Sequence, residues 1–213
     1  MSKKGDLELD LLTKGHIVCG LDEVGRGCLA GPVCAGAVIF DIPRLMSLPQ
    51  DKLDLIRDSK TLSKAQRLKI IPVIMSTAMS TAVAFTGASE IDQINILQAT
   101  FVAMKRALSK LTLVPTMILV DGNQIVPGIT QEQEAIIGGD GKVYAIAAAS
   151  ILAKEARDDY MGQLDKSHPG YGFVKHVGYG TKNHLEAMKN LGIIDEHRKS
   201  FKPVAHLLSE PIA

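Results

Sequence analysis

"LDEVGRGCLAGPV", residues 21–33, sets how the rest of the chain is read. An apolar, β-forming run from His16 to Leu21 ends in two carboxylates, Asp22 and Glu23. A loop with Gly25, Gly27 and Gly31 follows, and "VCAGAVIF" at 33–40 then reads as a second buried strand. Glycine-rich loops after a strand often present backbone N–H groups to phosphate. Two negative charges at the mouth of such a loop would repel it. Either the glycines serve another purpose, or a cation stands between carboxylate and phosphate. The dinucleotide-binding fingerprint does not fit. Gly25-x-Gly27-x-x-x-Gly31 is one residue too long, and Pro32 leads into a strand where that motif needs a helix.

The 213 residues predict one domain, 1–213, with about 181–213 as a C-terminal helical appendage. Hydrophobic residues make up 46% and aromatics only 4%, so aliphatic side chains must fill the core. A net charge of +1 excludes a whole-protein basic field, and any nucleic-acid surface must be a local patch. Cys19, Cys28 and Cys34 lack zinc-site spacing and suggest no disulfide framework. The segment "MSKKGDLELDLLTKG" has no apolar core of a secretory signal, and no window has the apolar length of a membrane span. A cytoplasmic protein without membrane contact is expected.

Residues 41–62 are polar and Pro-marked and read as a long connection. Ser63 and Gln66 have capping-box spacing and open a helix that should stop or kink near Pro72. A third strand is expected at 80–89. Ser89 should then cap a helix to about Leu111, with Ile91, Ile94, Leu97, Phe101, Met104 and Leu108 on one face. "TMILVDG" at 116–122 reads as a central strand, and "AIIGGDG" at 135–141 as a short extended piece. An Ala-rich helix should run from about Val143 to Leu164, and another from Lys182 to Leu191, closed by Gly192. The order predicts an α/β domain with a mixed sheet and helical trimming.

Three apolar runs thus end in carboxylates: Asp22 with Glu23, then Asp121, then Asp140. Functional groups gather at strand ends in open α/β sheets. Carboxylates converging there would raise one another's pKa values unless cations were bound. Oxygen donors without His or Cys favour Mg²⁺ or Mn²⁺, which polarise a phosphodiester, activate water and stabilise a leaving 3′-oxygen. Neighbouring strand residues point to opposite faces, so Asp22 and Glu23 share a site only if the strand ends or bulges there.

At this point the chain resembles ribonuclease HII, the bacterial type 2 ribonuclease H. The motifs are "DEVGRGCLAGPV", "DSKTLS" at 58–63, "ILVDGN" at 118–123, "AAASILAKEARD" at 147–158, "YGFVKHVGYGTKNH" at 171–184 and "HRKSFKPV" at 197–204. The resemblance runs from His16 to Val204. It implies a ribonuclease H-like fold with a central five-stranded mixed sheet and cleavage of RNA within RNA/DNA hybrids. It also implies nicking 5′ of single ribonucleotides in duplex DNA, leaving 3′-hydroxyl and 5′-phosphate ends. Asp22, Glu23 and Asp121 match the family's metal-binding carboxylates. For the fourth, Asp140 matches better than Asp158, which is expected to pair with Lys154 on its own helix. Gly138 and Gly139 stand where members often carry Lys. Gly25, Arg26 and Gly27 match the backbone reader of the ribonucleotide 2′-hydroxyl, where a side chain at either glycine would hold the duplex away. Tyr179 matches the tyrosine set against the neighbouring sugar, with Tyr171 as its rival.

Lys60, Lys154, Lys175, Lys182 and Arg198 are candidate phosphate contacts, Lys60 and Lys154 being carried forward as substrate-binding. Five of the six histidines follow residue 165, without zinc-site spacing, and are expected in loops and at the surface. The expected partners are RNA/DNA hybrid and ribonucleotide-containing duplex DNA, bound by a monomer. Two rivals remain. A resolvase-type nuclease would share the carboxylates but need no 2′-hydroxyl reader. A non-catalytic hybrid-binding module would not need the carboxylates.

Overall fold

The computed structural model describes residues 3–209, so both extremes of the predicted 1–213 domain lie outside the described residues. In chain order the elements are α1 (Asp6–Thr13), β1 (Val18–Val24), β2 (Val33–Phe40), α2 (Ile42–Met46), α3 (Gln50–Leu53), α4 (Lys64–Thr77) and β3 (Ala78–Thr86). There follow α5 (Ala88–Ser109), β4 (Met117–Asp121), β5 (Glu132–Ile136), α6 (Tyr144–Ser167), α7 (Phe173–His176), α8 (Lys182–Leu191) and α9 (Lys202–Ser209). Single 3₁₀ turns lie at Ser59–Thr61 and Gly139–Gly141.

The strands form one five-stranded sheet in the order β3-β2-β1-β4-β5. β1, β2 and β3 pair antiparallel, while β4 runs parallel to β1 and β5 parallel to β4, giving the expected mixed sheet. All eight residues of β2 are buried, as its unbroken apolar run requires of a strand covered on both faces. The Ala-rich α6 covers one face, and its small side chains let it lie close. A Cβ on Gly20 would stand 2.2 Å from the Ala145 carbonyl carbon, and one on Gly36 would stand 2.3 Å from the Ala149 oxygen. The other face packs on α5 through Ile91, Phe101 and Met104. A third apolar cluster joins Leu29 and Ala30 to α6, Phe173, Met188 and Val204.

Several sequence expectations change. The connection 41–62 contains α2, α3 and a 3₁₀ turn, held by the buried Ile42, Leu45, Leu53 and Ile56. The Ser63/Gln66 capping box forms, but α4 continues past Pro72 to Thr77 because Ile70 and Ile74 lock it onto the core. Ser89 does not cap α5. Gly87 holds that place with no side-chain bond, because the helix starts directly after β3. The single apolar face is interrupted at Asn95 (φ 68°, ψ 164°), whose Oδ1 accepts from Leu97 and Gln98 N–H and restarts the helix. β5 begins at Glu132, and Asp140 sits in the turn beyond it. The N-terminal α1 was not anticipated.

Candidate active site

β1 neither ends nor bulges at the acidic pair. Its ladder with β2 runs without a break through Asp22↔Gly36, Glu23↔Ala35 and Val24↔Cys34. Asp22 therefore points to the α6 face, two residues on from Gly20, and Glu23 to the α5 face beside Thr100, Phe101 and Met104. What reconciles them is a missing neighbour. The β1–β4 ladder stops at Leu21↔Val120, and β4 ends at Asp121, so no strand walls off one carboxylate from the other. Asp121 raises the pKa of both Asp22 and Glu23.

Asp22 is only 5% exposed, and its Oδ1 accepts from Glu23 N–H at 2.7 Å. Burial, then the negative charge of Glu23, hold its pKa well above the usual carboxylate value against a hydrogen bond from Ser150. Ser150 Oγ is in turn hydrogen-bonded to Ser59 Oγ at 2.9 Å, tying α6 to the Ser59–Thr61 turn. Burial also raises Glu23, although Arg26 Nη1 lies 3.3 Å away. The Asp121 Oδ1 accepts from Gly139 N–H at 2.7 Å, which draws the Asp140 turn to the end of β4. Asp140 is raised by burial, then by Asp58 and Asp121.

Lys60 belongs to this group. Burial alone would lower its pKa, yet Asp22, Asp58, Asp140 and Asp121 together raise it. Its N–H is held by Asp58 Oδ1 at 2.8 Å. Lys154 is engaged differently. It pairs with Asp158 at 2.5 Å, and Asp158 also faces Arg67 on α4, which is paired with Glu155. The expected local pairing of Asp158 with Lys154 is therefore present. Of the two candidates for the fourth carboxylate, Asp140 is the one facing Asp121.

The glycine loop is held from beneath by two arginines, each 0% exposed. Arg198 donates to the carbonyls of Gly25, Arg26 and Gly31 at 2.7, 2.8 and 3.0 Å. Arg157 donates to those of Pro32, Ala30 and Val177 at 2.9, 3.1 and 2.8 Å. Arg198 is thus buried against the loop's carbonyls and does not reach the surface as the candidate phosphate contact would. With the carbonyls turned inward, the N–H groups of Arg26 and Gly27 make no hydrogen bond among the described residues. The two glycines also differ in purpose. Gly25 has φ +90°, and a Cβ there would strike Arg157 Nε at 2.1 Å, so its bareness serves the clamp. A Cβ on Gly27 would meet nothing within 4 Å, leaving the loop's outer side open.

Tyr179 lies 45% exposed, hydrogen-bonded to Cys28 and within electrostatic reach of Lys60. Tyr171 is 5% exposed, bonds the carbonyls of Leu191 and Gly192, and stacks on Phe173. Only Tyr179 is available to a ligand. Beneath it three histidines are buried, contrary to expectation. His184 Nδ1 donates to Tyr179 O, His197 Nε2 donates to His184 Nε2 at 3.2 Å, and Ile194 N–H donates to His197 Nδ1. Every ring nitrogen in this relay has its role filled by neutral imidazole. Burial therefore pushes both His184 and His197 down to about 4.

Ser59, Asp58, Arg157 and the clamping role of Arg198 were not assigned from sequence. "DSKTLS" and "KEARD" carried the signal, but nothing local shows which strand end or loop they meet. Among the described residues no three His, Cys, Asp or Glu side chains form a ready-made cage for a metal ion. An open set of carboxylates still suits Mg²⁺ or Mn²⁺, which keep waters and take one or two carboxylates together with substrate oxygens. Asp22, Glu23, Asp121 and Asp140 are the side chains able to do this, and the like-charge repulsion among them favours a bound cation.

The ribonuclease HII family model matches residues 19–204. The chain is 46% identical over 193 residues to ribonuclease HII of Vibrio vulnificus strain YJ016, covering 91% of this chain and 89% of that protein. It is 48% identical over 194 residues to ribonuclease HII of Endomicrobium trichonymphae, with the same coverage of 91% and 89%. Among solved structures, ribonuclease H2 from Pyrococcus horikoshii OT3 superposes with a TM-score of 0.72 at 24% identity, covering 89% of this chain and 96% of that one. Bst-RNase HIII, solved in complex with Mn²⁺, gives 0.70 at 20% identity, covering 90% and 69%. These likenesses establish the ribonuclease H-like fold. The chain belongs to the ribonuclease HII family and is an endoribonuclease of the ribonuclease H type, acting on the RNA of RNA/DNA hybrids.

Proposed function

We propose that the enzyme also nicks duplex DNA on the 5′ side of a single embedded ribonucleotide, using divalent metal ions held by Asp22, Glu23, Asp121 and Asp140. The observation that carries the reading is the open carboxylate cluster at the end of β1 and β4, beside a loop whose outward N–H groups are free. When bound, Mg²⁺ or Mn²⁺ would supply Lewis-acid activation of water and of the scissile phosphate. Bst-RNase HIII, solved with Mn²⁺, supports a divalent ion without choosing between the two.

The chain's own residues position the substrate. Gly27 and Arg26 offer main-chain N–H groups to the 2′-hydroxyl, the feature that distinguishes RNA from DNA at one nucleotide. Gly25 permits the Arg157 contact that shapes this loop. Tyr179 lies against the sugar next to the junction. Ser150, backed by Ser59, orients Asp22. Lys60 offsets the negative charge and approaches a phosphate, while Lys154 reaches one only by releasing Asp158. Water adds to phosphorus as the bond to the leaving 3′-oxygen breaks. That oxygen takes a proton, giving a 3′-hydroxyl and a 5′-phosphate.

We place this activity in the cytoplasm and on a single copy of the chain. The three cysteines are buried and unpaired, and among the described residues no helix is long and apolar enough to cross a membrane. The test is a labelled duplex carrying one ribonucleotide, beside an all-DNA control, with and without Mg²⁺ or Mn²⁺. A metal-dependent nick 5′ of the ribonucleotide, absent from the control, is expected. Cutting of both duplexes would remove the role given to Gly25, Arg26 and Gly27.

A further inference from the structure

The stretch matched by the family model begins at residue 19, yet the segment bearing Asp140 is fastened by residues that come before it. Lys4 Nζ donates to the Asp140 carbonyl at 2.5 Å, and Gly5 N–H to the Lys142 carbonyl at 3.2 Å. The Glu8 carboxylate, 0% exposed, accepts from Tyr144 and Ala145 N–H at 2.9 Å each. Lys4 also lies over the Tyr144 ring, 5.2 Å from its centroid.

These contacts supply what the local sequence lacks. Val143 stands at the N-cap of α6 and makes no side-chain cap bond. The first-turn N–H groups of a buried helix need acceptors, and Glu8 provides two oxygens from another helix. Its negative charge also suits the positive end of α6. The turn itself contains Gly138, Gly139 and Gly141, so it carries little stiffness of its own. The turn is also tied to the site by the Gly139 N–H bond to Asp121. α1 is meanwhile anchored to the core by Leu7 and Leu11.

We propose that the segment Lys4–Glu8 is a positioning element for catalysis, a clasp that holds the Asp140 turn against Asp121 so that both carboxylates can act on one divalent ion. This rests on the reading of Asp140 as a metal-binding residue. The clasp touches neither substrate nor ion. It acts through the backbone of residues 140–145, so its loss should weaken metal binding more than hybrid binding.

The experiment uses full-length Lys4→Met and Glu8→Gln, with Lys14→Met, exposed just beyond the end of α1, as control. Three readouts are taken: amide hydrogen exchange without metal, calorimetric titration with Mn²⁺ alone, and hybrid cleavage across Mn²⁺ concentrations. Loss of a charge-assisted bond predicts exchange about tenfold faster, confined to residues 138–146. The Mn²⁺ midpoint should rise about fivefold or more, with the KM for hybrid unchanged and activity partly restored by excess Mn²⁺. Lys14→Met should match the wild type. Lower thermal stability with an unchanged Mn²⁺ midpoint would reduce the contacts to ordinary packing and overturn the clasp, while a cutting wild type keeps the metal reading intact. A wild type that neither binds Mn²⁺ nor cuts would remove the metal reading and the clasp together.

Discussion

At the glycine loop, two fully buried guanidiniums spend six donors on main-chain carbonyls, so that segment is completed by the chain itself. At the neighbouring strand end, Asp22, Glu23 and Asp140 face other carboxylates, and burial holds each above its ordinary pKa. The loop's inward carbonyls are satisfied, and the loop should be rigid before anything binds to its outward N–H groups. The strand end is under repulsive strain that a cation would relieve. A reader of one hydroxyl has to be pre-formed, because its selectivity depends on N–H groups already in place. A metal site can be left open, since substrate oxygens complete it.

The largest effect should come from Asp121→Asn, which removes the carboxylate facing both Asp22 and Glu23. Cleavage of hybrid should fall by on the order of 10³-fold, with hybrid binding nearly unchanged, as measured by single-turnover kinetics and filter binding. Full activity in this variant would break the comparison at its acidic side. Arg198→Met should test the other side. It leaves the Arg26 and Gly31 carbonyls without a donor and Gly25 with only the Cys28 N–H, costs about 3 kcal/mol in chemical denaturation, and erodes discrimination between ribonucleotide-containing and all-DNA duplexes.

Lowering the pH should act on the histidine relay under Tyr179 and on the acidic strand end in opposite senses. His184 and His197 are neutral in the fold with pKa values near 4, against 6.5 for the unfolded chain. The unfolded state therefore binds more protons between these values, and stability supplied by this buried pair is lost as pH falls from 6.5 to 4. The loss is about 3 kcal/mol for each imidazole that becomes protonated. The raised carboxylates work the other way, since protonating them relieves repulsion in the fold. Denaturation of wild type and of His184→Asn across that window would separate the two, the variant showing a shallower loss.

Gly27→Ala should leave stability within about 0.5 kcal/mol, because the new Cβ meets nothing, while lowering kcat/KM on single-ribonucleotide duplexes about 10-fold. Gly25→Ala should instead destabilise the protein, through its positive φ and the contact with Arg157. The smallest effect is a gain. Metal-free Asp22→Asn should be about 1 kcal/mol more stable than wild type, and Mg²⁺ should raise the Tm of wild type more than that of the variant.

Much of the site could be read from residue order. Three apolar runs ending in acids, two glycines around Arg26, and the Tyr179 loop were legible because strand ends and bare backbone leave local marks. Lys60 was legible as a candidate but not as the cation facing four carboxylates, since that depends on where the Ser59–Thr61 turn docks. Arg198 reads in the sequence as a candidate phosphate contact, whereas the fold buries it under the loop. Its sequence neighbours are polar, and only the docking of 197–204 under the loop buries it. The histidines were misplaced for the same reason, as their relay joins residues 179, 184, 194 and 197.

The sequence by itself determined the strand and helix identities of the main elements, because periodicity, caps and glycines act within a few residues. It also named the acidic side chains that the fold brings near one another, because each follows an apolar run that marks its place. Tertiary structure alone decided that no strand separates Asp22 from Glu23 although they point to opposite faces, because that depends on β4 ending at Asp121. It also decided which arginines are clamps and what holds the Asp140 turn. Those outcomes rest on contacts between segments up to 173 residues apart, which no local pattern encodes.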